Sequence, residues 1–286
     1  MKNFQIINLI IKPINVKILT FLLVFLFIYL ISYSGNDNYP TGSRSASMGN
    51  SSVTLSDVWS THHNQAGLAG LTKPTIGFHH ENRFIVKEYG LQSLAFVLPT
   101  NSGNFGISLS YFGYSKYNES KIGLGYAKKL SDKISFGVQL DYFNTHISED
   151  YGSKGAAVAE LGILAEPKEN FFIGVHVFNP TMSKIAIYDN ERIPTIFRVG
   201  IGYKFSNNLY VATETEKDID FDPIFKAGVE YMVIKDFFIR AGISTNPVQN
   251  SFGIGYVHNR LKADIAFSTH QLLGITPHFT VIYEFK

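Results

Sequence analysis

Cysteine is missing from the 286 residues of the sequence, tryptophan occurs once, and only 17% of the residues are charged. The absence of cysteine excludes disulfide bonds and thiolate chemistry. The charged fraction lies well below the roughly 25% of a typical soluble domain. The net charge of +2 gives no electrostatic reason to expect nucleic acid or an acidic partner.

Long apolar runs are also scarce, and the mean hydropathy is near zero. A helical protein that crosses a membrane several times would need several runs of about 20 apolar residues. The run from Ile18 to Ile31 follows lysines at positions 2, 12 and 17, and it is short for a spanning helix. This pattern, with Ser32 and Ser34 behind it, predicts a signal peptide over residues 1–34, cleaved after Ser34. A membrane anchor is the alternative.

The chain is rich in aromatic residues, at 14%, and from Thr75 onward it alternates with a period of two. Phe105, Ile107 and Leu109 share one face of a predicted strand, and Gly106 lies on the other. Because successive side chains of a strand point to opposite faces, each segment has one continuous apolar face.

The alternation predicts an all-β fold, a transmembrane antiparallel β-barrel of about 14 strands over residues 75–286. Tyrosine and phenylalanine lie near strand ends on the apolar faces, as interfacial girdles require. The opposite faces carry glycine, serine and charge, which the dry core of a β-sandwich could not bury cheaply. The predicted strands lie near 75–82, 90–98, 103–112, 120–129, 133–144, 155–165, 170–178, 194–205, 208–216, 223–233, 237–244, 250–258, 261–269 and 277–286.

The connections predict the orientation of the barrel. Short turns such as Ser206–Asn208 alternate with longer loops, and outer-membrane barrels keep their short turns in the periplasm. We therefore expect a multi-pass barrel in the outer membrane of a Gram-negative bacterium, in contact with its lipid. The predicted longer loops are Tyr114–Ser120, Thr145–Lys154, Asn179–Ile193, Lys217–Asp222, Asn246–Ser251 and His270–Thr276.

Residues 35–74 do not alternate, and they are rich in glycine, serine and alanine. A 14-strand barrel encloses a lumen that wall side chains alone cannot fill, so we expect this segment to fold inside as a plug. Arg44 is its sole lysine or arginine before Lys73. We expect Arg44 to pair with a lumenal carboxylate, Glu214 or Glu230, because an unpaired buried guanidinium is costly.

Charged side chains of several predicted strands fall on the inner faces. They could line a path selective for a charged solute, or they could form ion pairs that stiffen the wall and hold the plug. The mixed signs favour ion pairs. The candidate plug and lumenal residues are Arg44, Asn64, Arg198, Glu214, Lys226, Glu230 and Arg240.

Two pairs of adjacent histidines, His62-His63 and His79-His80, invite a metal interpretation. Adjacent residues of a strand point to opposite faces, so neither pair can chelate from one strand. One histidine from each pair could meet across plug and wall, but no cysteine or acidic cluster joins them at ligand spacing. We expect no metal site.

A hydrolase would need a nucleophile held by a histidine, and Ser268, His270 and Asp264 lie close in sequence. Such a trio arises easily in a polar strand. The glycines of 200–202 alternate within a strand and do not open a helix, so they indicate no nucleotide site. We expect neither catalysis nor a cofactor.

Four short motifs resemble those of the PorV/PorQ proteins, relatives of the FadL hydrocarbon transporters. Residues Gly42–Gly49 resemble the opening G-A-R-A-A-G-M-G, and Asn64–Ala69 resembles N-P-A-G-L-A, with Gln65 where proline is common. Residues Glu191–Gly200 are similar to the strand start L-P-x-x-x-R-x-G, and Leu273–Pro277 is similar to the closing L-G-x-T-P.

The resemblance covers residues 40–286 and implies a plugged barrel of this size. It implies an accessory or docking component of type IX protein secretion, with secretion subunits or secreted cargo as partners. The alternative is a FadL-like channel for small hydrophobic molecules, which the short chain and the missing helical hatch insert disfavour. A sealed lumen with apolar outer loops would favour docking, whereas an apolar cavity between plug and wall would favour transport.

Overall fold

A computed structural model describes residue 38 and residues 40–148, 152–185 and 193–286. The predicted signal peptide over residues 1–34 lies outside this part of the chain and stays a prediction. The described residues form a closed barrel of 14 antiparallel strands in which the first and last strands pair. The predicted fold class and strand number are therefore confirmed. No helix among the described residues is long and apolar enough to cross a membrane.

The strands follow one another around the barrel in chain order. Their bounds are β1 Thr75–Asn82, β2 Gly90–Thr100, β3 Gly103–Tyr114, β4 Tyr117–Ser131, β5 Ile134–Ile147, β6 Gly152–Lys168, β7 Phe171–Phe178, β8 Ile196–Lys204, β9 Leu209–Asp218, β10 Ile224–Ile234, β11 Phe237–Ser244, β12 Gln249–His258, β13 Leu261–His270 and β14 Gly274–Glu284.

The predicted period of two separates the two faces of the wall. Leu140 and Leu124 are 68% and 62% exposed on the outside, whereas Gln139 and Asp141 are buried in the lumen. An apolar outer belt is what a lipid bilayer requires of a barrel. The arrangement supports a location in the outer membrane.

Connection lengths differ between the two ends of the barrel. One end, here called the short-turn end, carries both termini of the wall and connections of two to four residues, such as 101–102 and 205–208. The other, the long-loop end, carries longer connections such as 83–89 and 179–195. That the long-loop end faces outside the cell stays a prediction.

Some predicted loops are too long. The predicted loop Tyr114–Ser120 is wrong, because β3 continues to Tyr114, β4 begins at Tyr117, and these two residues pair directly. Asn118 and Ser120 also pair with residues of β3. The stretch is polar and does not alternate, so its sequence resembles a loop, but backbone hydrogen bonds continue the ladder regardless of side-chain type.

The segment before β1 folds inside the barrel as short helical turns. It contains helix α1 Ser43–Ser47, helix α2 Ser60–His63 and a 3-10 helix Gln65–Gly70. Val58, Trp59 and Leu68 pack against small and apolar residues of the inner wall, and all three are fully buried. We call residues 40–74 the plug.

Glycines of the inner wall let the backbone of the plug approach closely. A Cβ at Gly242 would lie 2.2 Å from the backbone of Met48 and Gly49, and one at Gly174 would lie 2.4 Å from the carbonyl oxygen of Val53. Such distances are impossible without a shift, so wall and plug are shaped for each other.

Candidate functional site

Arg44 of α1 joins the plug to the wall. Its Nε and Nη2 donate to the two carboxylate oxygens of Glu230 at 2.9 and 2.7 Å, and its Nη1 lies 3.5 Å from Asp57. Glu230 also accepts from Arg240 at 2.5 Å, and Arg240 donates to Asp264 at 2.6 Å. Alternating charges thus run from the plug across three wall strands, with a bidentate geometry that fixes orientation.

Glu214 holds the plug by its backbone. One carboxylate oxygen accepts the N–H groups of Ser52 and Val53 at 2.7 and 2.8 Å, and the other accepts from Lys226 at 3.0 Å. The residue is buried. A charged acceptor makes stronger hydrogen bonds than a neutral one, so this contact anchors the middle of the plug.

The remaining charged candidates, Arg198 and Lys226, pair with carboxylates of the wall. Arg198 donates to Glu216 at 2.5 Å and to the carbonyl oxygen of Asn38 at 3.0 Å. Lys226 donates to Glu216 at 2.8 Å as well as to Glu214. The arrangement supports the ion-pair interpretation over a lining for a charged solute.

Asn64, which precedes the 3-10 helix, binds backbone on both sides. Its amide nitrogen donates to the carbonyl oxygens of Val53 and Ile163 at 2.7 and 3.0 Å, and its oxygen accepts from Ala66 at 3.2 Å. The side chain therefore fixes the turn of the plug and ties it to β6.

A second buried cluster centres on Glu160 of β6. Its carboxylate accepts from Lys121 at 3.1 Å, from Gln65 of the plug at 2.6 Å, and lies 2.9 Å from His176. Lys121 and His176 were not among the sequence candidates. The alternation of β4 and β7 could have identified them, because both residues lie on the same strand face as the buried glycines of those strands.

Ser268, His270 and Asp264, which the sequence analysis considered and set aside as a catalytic trio, do not contact one another through the hydrogen bonds that they make. Asp264 pairs with Arg240, and Nδ1 of His270 accepts the N–H groups of the loop that follows it. Ser268 instead lies 3.0 Å from His278 of β14.

Chambers remain at both ends of the plug. At the short-turn end, one cavity measures about 480 Å³, and a neighbour of about 190 Å³ is lined in part by Leu55, Leu164, Phe172 and Phe238. At the long-loop end, a cavity of about 320 Å³ is lined by Pro40 and by residues of the wall and loops. Apolar side chains thus face the lumen beside the ion pairs.

Comparison with protein families and with curated proteins gives no match. Solved structures do match the fold. The Ralstonia pickettii toluene transporter TbuX has a TM-score of 0.70 at 12% identity, covering 90% of this chain and 100% of that one. The CymD monoaromatic hydrocarbon channel gives 0.67 at 13% identity, covering 88% and 99%. The P. putida toluene transporter TodX gives 0.65 at 14% identity, covering 87% and 99%.

A FadL homologue from Pseudomonas aeruginosa shares the fold as well, with a TM-score of 0.60 at 13% identity over 86% of this chain and 98% of that one. The chain therefore has the fold of FadL-like outer-membrane barrels. At these identities the comparison establishes the fold alone. The finer resemblance to PorV/PorQ proteins stays a prediction.

Proposed function

We propose that the protein is a non-enzymatic outer-membrane channel for small hydrophobic molecules, gated by its plug. The observation that carries this proposal is the apolar part of the chambers between plug and wall, in a fold shared with toluene and monoaromatic channels. This was the alternative in the sequence analysis, and it now takes precedence over docking to a secretion system.

The size of the chambers and the apolar part of the lining of the smaller one suit a small apolar solute. An engineered apolar cavity of about 150 Å³ accommodates benzene. The chambers of about 190 and 480 Å³ at the short-turn end exceed that volume. Phe172 and Phe238 line the smaller chamber with aromatic rings, which can pack against an aromatic solute. A continuous path requires the plug to shift. Such a shift must break the ion pair of Arg44 with Glu230 and the backbone hydrogen bonds of the plug to Glu214.

Filling the smaller chamber tests the proposal. Leu164 lines that chamber, whereas Leu161, on the same strand, is 40% exposed on the lipid-facing side. Intact cells that express the protein should take up radiolabelled toluene faster than cells with an empty vector. Leu164→Trp should reduce the uptake, and Leu161→Trp should leave it unchanged. Heat-modifiable gel mobility verifies that each variant forms a barrel.

Two results would contradict a channel. One is equal uptake with and without the protein; the other is an equal effect of the two tryptophan variants. Either would favour the second candidate, a docking component of type IX secretion. That candidate is supported by apolar residues at the long-loop end, where Leu272 and Ile85 are 90% and 70% exposed. A pull-down from detergent-solubilised outer membrane, compared between wild type and Leu272→Ser, tests it.

A further inference from the structure

The seam where the barrel closes brings two histidines and a carboxylate together. His79 and Glu81 lie two residues apart on β1 and therefore share its inward face. In the β1–β14 ladder, Glu81 pairs with His278 and His79 pairs with Thr280. His79, Glu81 and His278 are all buried.

Their ring nitrogens converge on one carboxylate oxygen. Nε2 of His79 lies 3.8 Å from Oε2 of Glu81, and Nδ1 of His278 lies 3.3 Å from the same oxygen. These three atoms all lie within 4.8 Å of one another. Neither of the two nitrogens has a hydrogen-bond partner within the described part of the chain.

A hydroxyl group contacts the second ring nitrogen of each histidine. Nδ1 of His79 lies 2.8 Å from the hydroxyl of Thr280, and Nε2 of His278 lies 3.0 Å from the hydroxyl of Ser268. A histidine that binds a metal through one ring nitrogen almost always makes a hydrogen bond through the other, which fixes the tautomer and the ring orientation. With the proton of each ring on the nitrogen that faces the hydroxyl, the free nitrogens carry lone pairs directed at the shared space.

We propose that His79, Glu81 and His278 form a binding site for a divalent transition-metal cation such as Zn²⁺. Two imidazole nitrogens and one carboxylate oxygen are a ligand set that zinc accepts in sites with an open fourth position. With bonds of about 2.0–2.1 Å, tetrahedral ligands lie about 3.3 Å apart, so small side-chain movements complete the geometry. Glu81 and His278 also line the cavity of about 320 Å³ at the long-loop end, which gives the cation access.

A hydrolytic triad is the rival interpretation of the same residues, because Ser268, His278 and Glu81 follow one another in contact. A triad requires the carboxylate to accept the Nδ1 proton of the histidine and so orient it. Nδ1 of His278 makes no such hydrogen bond, and a triad leaves Nε2 of His79 without a role. A cation accounts for both nitrogens.

The proposed cation would join the first strand of the wall to the last. Arg83 is compatible with it, because that guanidinium engages the other oxygen of Glu81, Oε1, at 2.5 Å. One ion would thus link β1 and β14 across the position where the barrel closes.

Titration of untagged, chelator-treated protein in detergent with ZnCl₂ tests the site. Calorimetry should show one Zn²⁺ per chain for the wild type. Glu81→Gln and His278→Gln should each weaken binding by more than about tenfold, since replacing even a residue that only hydrogen-bonds a metal ligand lowers metal affinity or activity about 10–100-fold. His80→Gln is the matched control: it alters the adjacent histidine of β1, on the opposite face, and should bind Zn²⁺ as the wild type does.

The single tryptophan locates the ion. The ring of Trp59 lies 5.8 Å from that of His79, so Cu²⁺ should quench its fluorescence in the wild type and in His80→Gln, but not in His278→Gln. The proposal is overturned if folded wild type, verified by heat-modifiable mobility, binds no Zn²⁺. It is equally overturned if Glu81→Gln and His278→Gln, verified as folded in the same way, bind as the wild type does.

Discussion

Glu214 is the wall residue whose replacement should most directly release the plug. Glu214→Gln keeps the size of the side chain but turns one acceptor oxygen into an NH₂ donor. The amide oxygen can then face the N–H groups of Ser52 and Val53 or the ammonium of Lys226, but not both. Either orientation sets donor against donor in a buried place.

The magnitude follows from these contacts. A hydrogen bond to a charged group contributes about 1.5–3 kcal/mol, and breaking a buried ion pair costs about 3–5 kcal/mol. Lys226 retains Glu216 at 2.8 Å, which limits the loss on the wall. We therefore expect Glu214→Gln to weaken plug docking by about 3 kcal/mol.

Trp59 reports this loss, because the sole tryptophan of the chain is buried in the plug. In urea, its fluorescence change should move to lower concentration in Glu214→Gln, while heat-modifiable mobility shows that the barrel persists. Glu216→Gln is the matched control. Glu216 lies two residues further along β9, and its ion pairs in the described part of the chain run to Arg198 and Lys226 of the wall. If Glu216→Gln moves the Trp59 transition as far as Glu214→Gln does, the anchoring role of Glu214 is refuted.

Three further outcomes are expected. Arg44→Ala should cost the plug about 1.5–3 kcal/mol in the same assay, because Glu230 keeps Arg240, and Glu230→Ala about 3–5 kcal/mol, because it removes an acceptor from both Arg44 and Arg240; equal losses would contradict this. Since the chain lacks cysteine, Leu272→Cys should react with an impermeant maleimide on intact cells and Asn207→Cys only after the outer membrane is opened; the reverse pattern would mean an inverted barrel. Burial lowers the pKa of His63 from 6.5 to about 4, so docking should weaken as pH falls from 6.5 towards 4, with up to about 3 kcal/mol from His63, and His63→Gln should reduce this dependence; the rest comes from the neighbouring His62, whose pKa burial also lowers.

The wall could be predicted from the sequence because its signal is local. Alternation with a period of two requires nothing beyond neighbouring residues, and it gave both the strand number and the inward parity of Arg198 and Glu230. Arg44, the sole lysine or arginine of the plug before Lys73, likewise pointed to a lumenal acid, and the structure pairs it with Glu230. Loop lengths were harder to predict from the sequence. Where polar residues extend a strand pair beyond the apolar belt, their side chains show no apolar–polar alternation.

Two arrangements could not be predicted from the sequence: the contact of Glu214 with the plug backbone, and the convergence of His79 and His278. Glu214 holds the plug through backbone N–H groups, which every residue except proline provides. No residue type in the plug therefore predicts this contact. The convergence of His79 and His278 depends on closure of the barrel. His79 and its register partner Thr280 are separated by 201 positions in sequence, and no local rule relates positions so far apart.

The location of the plug before the first wall strand has a consequence for the order of assembly. The partners of its first helix come from the far half of the sequence: Arg44 binds a residue 186 positions later, and Ser43 donates to Thr280, 237 positions later. A short segment rich in small polar residues has little apolar surface with which to offset the entropy of ordering alone. This part of the plug is made before the wall and therefore acquires its structure last, when β14 arrives beside β1. Closing the wall and seating the plug become a single cooperative event, and a chain that ends before β14 completes neither.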